Sequence, residues 1–136
     1  MVLSVGKSEV KDNPLLKRWF NEYNRRFFKH RLPDTLVCWT DMKPVENGIT
    51  PLGRCLRPAI VRYKVIGGKK WVRFKSDRPM IFISDVLWKR NWLSLARETL
   101  LHEMCHLALP ARLSHGLRFQ KEMLRIAKAG AFKGLW

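Results

Sequence analysis

Two histidines four residues apart, the first followed directly by a glutamate, constrain this chain more than any other feature. They stand in His102-Glu103-Met104-Cys105-His106, flanked by apolar Leu100, Leu101, Leu107 and Leu109. The stretch reads as a helix over residues 94–108, with Ser94 as its cap and Pro110 as its stop. Four residues along a helix turn through about 400° and rise about 6 Å, so both imidazoles leave from nearly one side. At that spacing two ring nitrogens grip one Zn²⁺ at about 2.1 Å each. Glu103 then reaches a water at the metal without being a ligand, and can take its proton. With four histidines in 136 residues, roughly 0.005 such matches arise by chance, so the motif is a signal.

A catalytic zinc takes three protein ligands and keeps one position open. His115 is the first choice for the third: it follows His106 by nine residues, past Pro110, at the start of the next helix. Glu122, on the same helix face as His115, and Glu98, four residues before His102, are the alternatives. The angle of Cys105 on the helix turns it away from the histidine line and makes it a buried thiol. His30 sits in a basic cluster and reads as solvated.

The charge balance sets the partner class. Lys and Arg number 27 against 11 Asp and Glu, a formal charge of +16, which attracts polyanions, nucleic acid first. The length suits one domain with a real apolar core. Three scattered cysteines without a CxxC pair suggest neither a zinc ribbon nor a disulfide framework. The chain has no signal-peptide pattern and no apolar run near the roughly 20 residues of a membrane span. The expectation is a soluble, intracellular monomer, in cytoplasm, nucleoid or nucleus, with no membrane partner.

Residues 1–13 read as a flexible arm and 14–136 as the domain. Asn13 and Pro14 open an amphipathic helix with Leu15, Leu16, Trp19, Phe20, Tyr23 and Phe27 inside and a basic outer face. Thr35–Trp39 reads as a strand, followed by a loop carrying Pro44, Gly48, Pro51 and Gly53. Residues 59–75 alternate as a hairpin turning at Gly67-Gly68. Met80–Ile83 reads as a short buried strand, and Ser114 as the cap of a last helix with Phe119, Met123 and Ala127 inside. The fold class is a compact α+β domain with a small mixed or antiparallel sheet. An extended peptide needs an edge strand beside the metal, and Met80–Ser84 is the expected one.

The motif, followed by Ser114-His115-Gly116 and Phe119, resembles the SprT-like family of zinc metalloproteases, whose third ligand is a histidine in an HG-x-x-F context. Arg31-Leu32-Pro33, Trp39 and Leu52-Gly53-Arg54-Cys55 are similar to that family's upstream pattern. The resemblance spans roughly residues 15–125. It implies a zincin-like domain, one Zn²⁺ on His102, His106 and His115, and Glu103 as general base. The family includes proteases that degrade proteins crosslinked to DNA, so DNA and a protein substrate are the partners it implies.

In the hairpin, Arg62, Lys64, Lys69, Lys70, Arg73 and Lys75 form a run of cations beside Trp71, suited to phosphates and to stacking on unpaired bases. Residues 88–92, Trp-Lys-Arg-Asn-Trp, have the same character. Two functions from different classes follow. One is a zinc endopeptidase acting on DNA-associated or DNA-crosslinked proteins. The other is a nucleic-acid-binding module with a structural zinc, which would have no use for Glu103.

Overall fold

Asn13 begins the first helix, as its place before Pro14 suggests. The computed structural model describes residues 12–42, 51–56, 60–64, 71–75, 78–109 and 115–135, with the backbone alone for 60–64 and 71–75. The Asn13 side chain accepts hydrogen bonds from the backbone N–H groups of Leu15 at 3.0 Å and Leu16 at 3.1 Å, which satisfies two otherwise unpaired donors of helix α1 (Pro14–Phe27). Leu16, Phe20, Tyr23 and Phe27 are buried along one stripe, and Trp19 packs at its border. Of the proposed arm only Asp12 and Asn13 are described. Both are tied to Val37: Asp12 Oδ1 accepts from its N–H at 2.8 Å, and the Asn13 N–H donates to its carbonyl at 2.8 Å.

The chain reverses after α1 around Asn24, a buried polar residue inside the helix. Its amide donates to the Leu32 carbonyl at 3.1 Å and accepts from the Leu32 N–H at 3.2 Å. Lys29 and His30 take the left-handed conformation, with φ of 51° and 58°, and His30 is solvent-exposed. Leu32 is thereby held in the core, between exposed Arg31 and Pro33.

Three strands form a mixed sheet: β1 (Leu36–Thr40), β2 (Gly53–Leu56) and β5 (Met80–Ser84), in the order β1-β5-β2. β1 runs parallel to β5, and β2 antiparallel to it. Alternation sends Val37, Trp39, Cys55, Ile81 and Ile83 into the main core, while Leu36, Cys38, Leu56, Met80 and Phe82 cluster on the other face. Two sequence expectations change here. The segment read as loop at Gly53 is a strand, too short and too close to Pro51 to show alternation. The strand expected at the edge, Met80–Ser84, is central, because β2 folds back onto its far side.

β3 (Ile60–Lys64) and β4 (Trp71–Lys75) make a separate antiparallel ladder, as the alternation predicts; Gly67 and Gly68 lie outside the described residues. A one-turn helix α2 (Val86–Lys89) precedes α3 (Leu93–Ala108). α3 starts at Leu93, so Ser94 lies inside it and is not its cap; Trp92 holds that position without a side-chain capping bond. α4 spans Leu117–Lys128 with Gly116 at its N-cap, and Ser114 lies outside the described residues. The inner stripe of α4 is Phe119, Met123 and Ile126, whereas Ala127 is exposed. Two full turns take about seven residues, so the eighth overshoots the stripe.

The molecule is an α+β domain with α3 buried on most sides, Ala96, Leu100, Leu101, Met104 and Cys105 being fully enclosed. Among the described residues no helix is long and apolar enough to cross a membrane.

Replacing Asn24 tests the reversal. Asn24→Leu leaves the buried N–H and carbonyl of Leu32 without partners, which costs about 1–3 kcal/mol for each orphaned group. Urea denaturation is expected to show a loss larger than the roughly 1 kcal/mol of Asn13→Ala, which removes only a helix cap.

Candidate metal centre

α3 carries His102 and His106 on the side that faces the start of α4, where His115 stands just ahead of the helix. The three Nε2 atoms converge: His115 lies 3.0 Å from His102 and 3.0 Å from His106. One nitrogen has a single in-plane site, a proton or a lone pair, and cannot serve two neighbours with good geometry. A cation at the centre is served by all three. Tetrahedral coordination at about 2.1 Å needs nitrogens about 3.4 Å apart, so the cluster opens by only a few tenths of an ångström to take an ion. Burial, and then the nearby His115, hold His102 below the usual histidine pKa, favouring the neutral form that ligates. These three residues can hold a metal ion.

Phe119 is the floor of this cluster. Its ring lies 4.9 Å from His102, 4.3 Å from His106 and 5.0 Å from His115, stacked on His106 and edge-on to the other two. The helix that bears it is fastened to α1 by Arg125, whose Nη2 donates to the Phe27 carbonyl at 2.8 Å and whose guanidinium lies 5.6 Å from the Phe28 ring. Glu122 is committed to that joint, pairing with Arg125 at 2.6 Å, and stands outside the histidine set. Glu98 also stays outside it, in the wall of the adjoining groove. Cys105 is fully buried, and burial pushes its thiol up to about 12, which suits a core residue rather than a ligand.

Glu103 is 7% exposed, and burial pushes its carboxyl up to about 7. It opens onto a groove of about 420 Å³ walled by Pro51, Leu52, Gly53, Leu95, Glu98 and His102 among others. β2 is the outer strand of the sheet on this side and comes very close to α3. A Cβ at Gly53 would sit 2.6 Å from Thr99 Cγ2 and 3.1 Å from Glu103 Oε2. Only glycine permits this approach. Sequence reading missed Gly53 as a site residue, because a glycine two residues after Pro51 reads as part of a turn.

The chain belongs to the SprT-like family. That family's model matches residues 16–134, nearly the whole chain. No curated protein matches the sequence. SprT-like proteins are associated with metallopeptidase activity, and the convergent histidines of this SprT-like chain fit that association.

Register places Arg62 opposite Arg73, Lys64 opposite Trp71 and Ile60 opposite Lys75. Directly opposed residues share a face of an antiparallel ladder and alternate residues share it along a strand. Arg62, Lys64, Trp71, Arg73 and Lys75 therefore occupy one face of the β3–β4 ladder, and Lys69 and Lys70 lie outside the described residues.

Two measurements check this geometry. A competition titration with a zinc chelator is expected to show one zinc per chain. Affinity should fall by more than about 100-fold, the upper range for losing a mere outer-shell partner, in His102→Ala, His106→Ala and His115→Ala, and stay within a few-fold in Glu98→Ala and Glu122→Ala. Gly53→Ala should lower stability by about 1–3 kcal/mol through overpacking. Thr99→Ser, which removes the clashing methyl and keeps the hydroxyl, should recover part of that loss in a double-mutant cycle read by chemical denaturation.

Proposed function

We propose that this protein is a zinc-dependent endopeptidase with a zincin-like fold that acts on proteins associated with or crosslinked to DNA. The observation that carries the reading is the convergence of three imidazole nitrogens, one of which, His102, lines an open groove together with the buried carboxylate of Glu103. Three imidazoles are a donor set that suits Zn²⁺ and leaves one position for chemistry. Bound on His102, His106 and His115, the ion supplies a Lewis acid that polarises a carbonyl and acidifies a water.

Glu103 takes the proton of the attacking water, and the hydroxyl adds to the peptide carbonyl carbon. As the C–N bond breaks, the same carboxyl returns the proton to the departing amine, leaving a new carboxylic acid and a free amine. Burial shields Glu103 from bulk water, and the absence of a Cβ at Gly53 lets the substrate-side strand approach it. The peptide lies extended along β2, which pairs with β5 on one side and with no other strand among the described residues. Backbone hydrogen bonds to such an edge hold a substrate largely irrespective of its side chains.

Support for a DNA-linked target is electrostatic. A charge of +16 draws the chain to polyanions, and the cationic face of the β3–β4 ladder suits phosphate contacts.

Glu103→Gln tests the mechanism. The variant should retain one zinc and its fold while losing at least about 100-fold in protein hydrolysis, the usual contribution of a positioned acid–base group. Activity equal to the parent's would exclude Glu103 as base. A parent that binds zinc yet cleaves no protein, with or without DNA, would favour a nucleic-acid-binding module with a structural metal.

A further inference from the structure

Away from the metal, the corner between α2 and α3 forms a second concave site. Its cavity measures about 590 Å³ and is lined by Asn91, Trp92, Leu93, Ser94, Leu95 and Leu135. The corner is tight because Asn91 takes the left-handed conformation, with φ of 56°, and the Trp92 N–H closes back onto the Leu87 carbonyl at 2.8 Å. Trp92 remains 47% exposed and neighbouring Trp88 54%. Trp88 packs against Trp39 with ring centroids 5.9 Å apart, so Trp92 is the tryptophan that offers its face to this cavity. Arg90 lies over the Trp92 ring at 5.1 Å, and Lys89, on the same turn with its side chain 69% exposed, pairs with Asp85 at 3.3 Å.

We propose that this cavity takes an unpaired nucleobase of a single-stranded nucleic acid, stacked on Trp92. A base has two flat apolar faces and a polar edge. Trp92, Leu93, Leu95 and Leu135 answer the faces, while the Asn91 amide and the Ser94 hydroxyl can both donate and accept at the edge. Arg90, beside the Trp92 ring, serves a flanking phosphate, and Lys89 reaches one only by leaving Asp85. No acidic residue is among the described residues of the lining, and the chain's charge of +16 favours a polyanion over a neutral or cationic peptide.

Leu95 is a wall of this cavity and also of the groove holding His102 and Glu103. A strand anchored at Trp92 therefore passes beside the substrate groove, which is where a protein attached to that strand would have to be presented. This inference shares with the proposed function only the expectation of nucleic-acid affinity. It adds a base-binding site distinct from the cationic hairpin, and it does not require hydrolysis.

Fluorescence anisotropy on the full chain tests it, at about 50 mM salt where phosphate contacts are strong. The probes are an oligothymidylate of about ten nucleotides, within the span of typical single-strand sites, an abasic strand of the same length, the matching ribo-oligomer, and thymidine monophosphate. The base-bearing strands should bind about 10- to 100-fold more tightly than the abasic one. Trp92→Ala should close that gap by weakening the base-bearing strands. Trp92→Leu, which keeps an apolar side chain at the corner but no π-face, should do the same even if the alanine variant folds poorly. Equal binding of base-bearing and abasic strands by the parent would overturn the site while leaving phosphate-based DNA affinity intact. So would a gap that survives both variants. Thymidine monophosphate binding as tightly as the oligomer would overturn a strand as occupant in favour of a free nucleotide. No binding of any strand would remove this site and the DNA half of the proposed function together, whereas failure of hydrolysis alone would leave the site standing.

Discussion

The imidazole nitrogens of His102 and His106, on α3, each lie 3.0 Å from that of His115, just ahead of α4, and the rest of the molecule is arranged around that meeting. His102 and His106 are paired by helical geometry alone, since four residues return to the same side. His115 is not: it depends on where α4 begins and on how α4 is held. Phe119 sets the first by packing its ring against all three imidazoles. Arg125 sets the second by tying α4 to the end of α1 through the Phe27 carbonyl. α3 itself is fixed by enclosure in the core. Arg97, one turn before the motif, donates to the Tyr23 hydroxyl at 2.6 Å and locks α3 to α1.

The same helix forms the floor of the groove, and here the constraint is distance. β2 comes close enough to α3 that a single methyl group at Gly53 would collide with Thr99. This contact covers Glu103 and brings β2, the outer strand of the sheet among the described residues, up beside it.

Much of this was legible in the residues. The HExxH spacing identified α3 and two of the convergent histidines, because helix periodicity is a local property. The Asn13–Pro14 start of α1 and its inner stripe were legible for the same reason. What sequence could not supply was order in space. Met80–Ser84 reads as a buried strand, and it is one, but nothing local says that β2 pairs with its outer side and displaces it from the edge. β2 itself was hidden by its four-residue length next to Pro51. The choice among His115, Glu98 and Glu122 was open to residue spacing. It needed the tertiary facts that Glu122 is bound to Arg125 and that Glu98 faces the groove. Asn24 looked like an ordinary helical polar residue, because its partner, Leu32, lies beyond the end of the helix.

In the proposed zinc site three imidazoles, two from α3 and one from just ahead of α4, make up the protein's share of the ligands. X-ray absorption at the zinc edge of the loaded protein reads that donor set directly. A shell of nitrogen and oxygen at about 2.0–2.1 Å containing three imidazoles, with no sulfur, is expected. A sulfur shell at about 2.3 Å, bringing a cysteine into the site, or a fit with only two imidazoles, would contradict it.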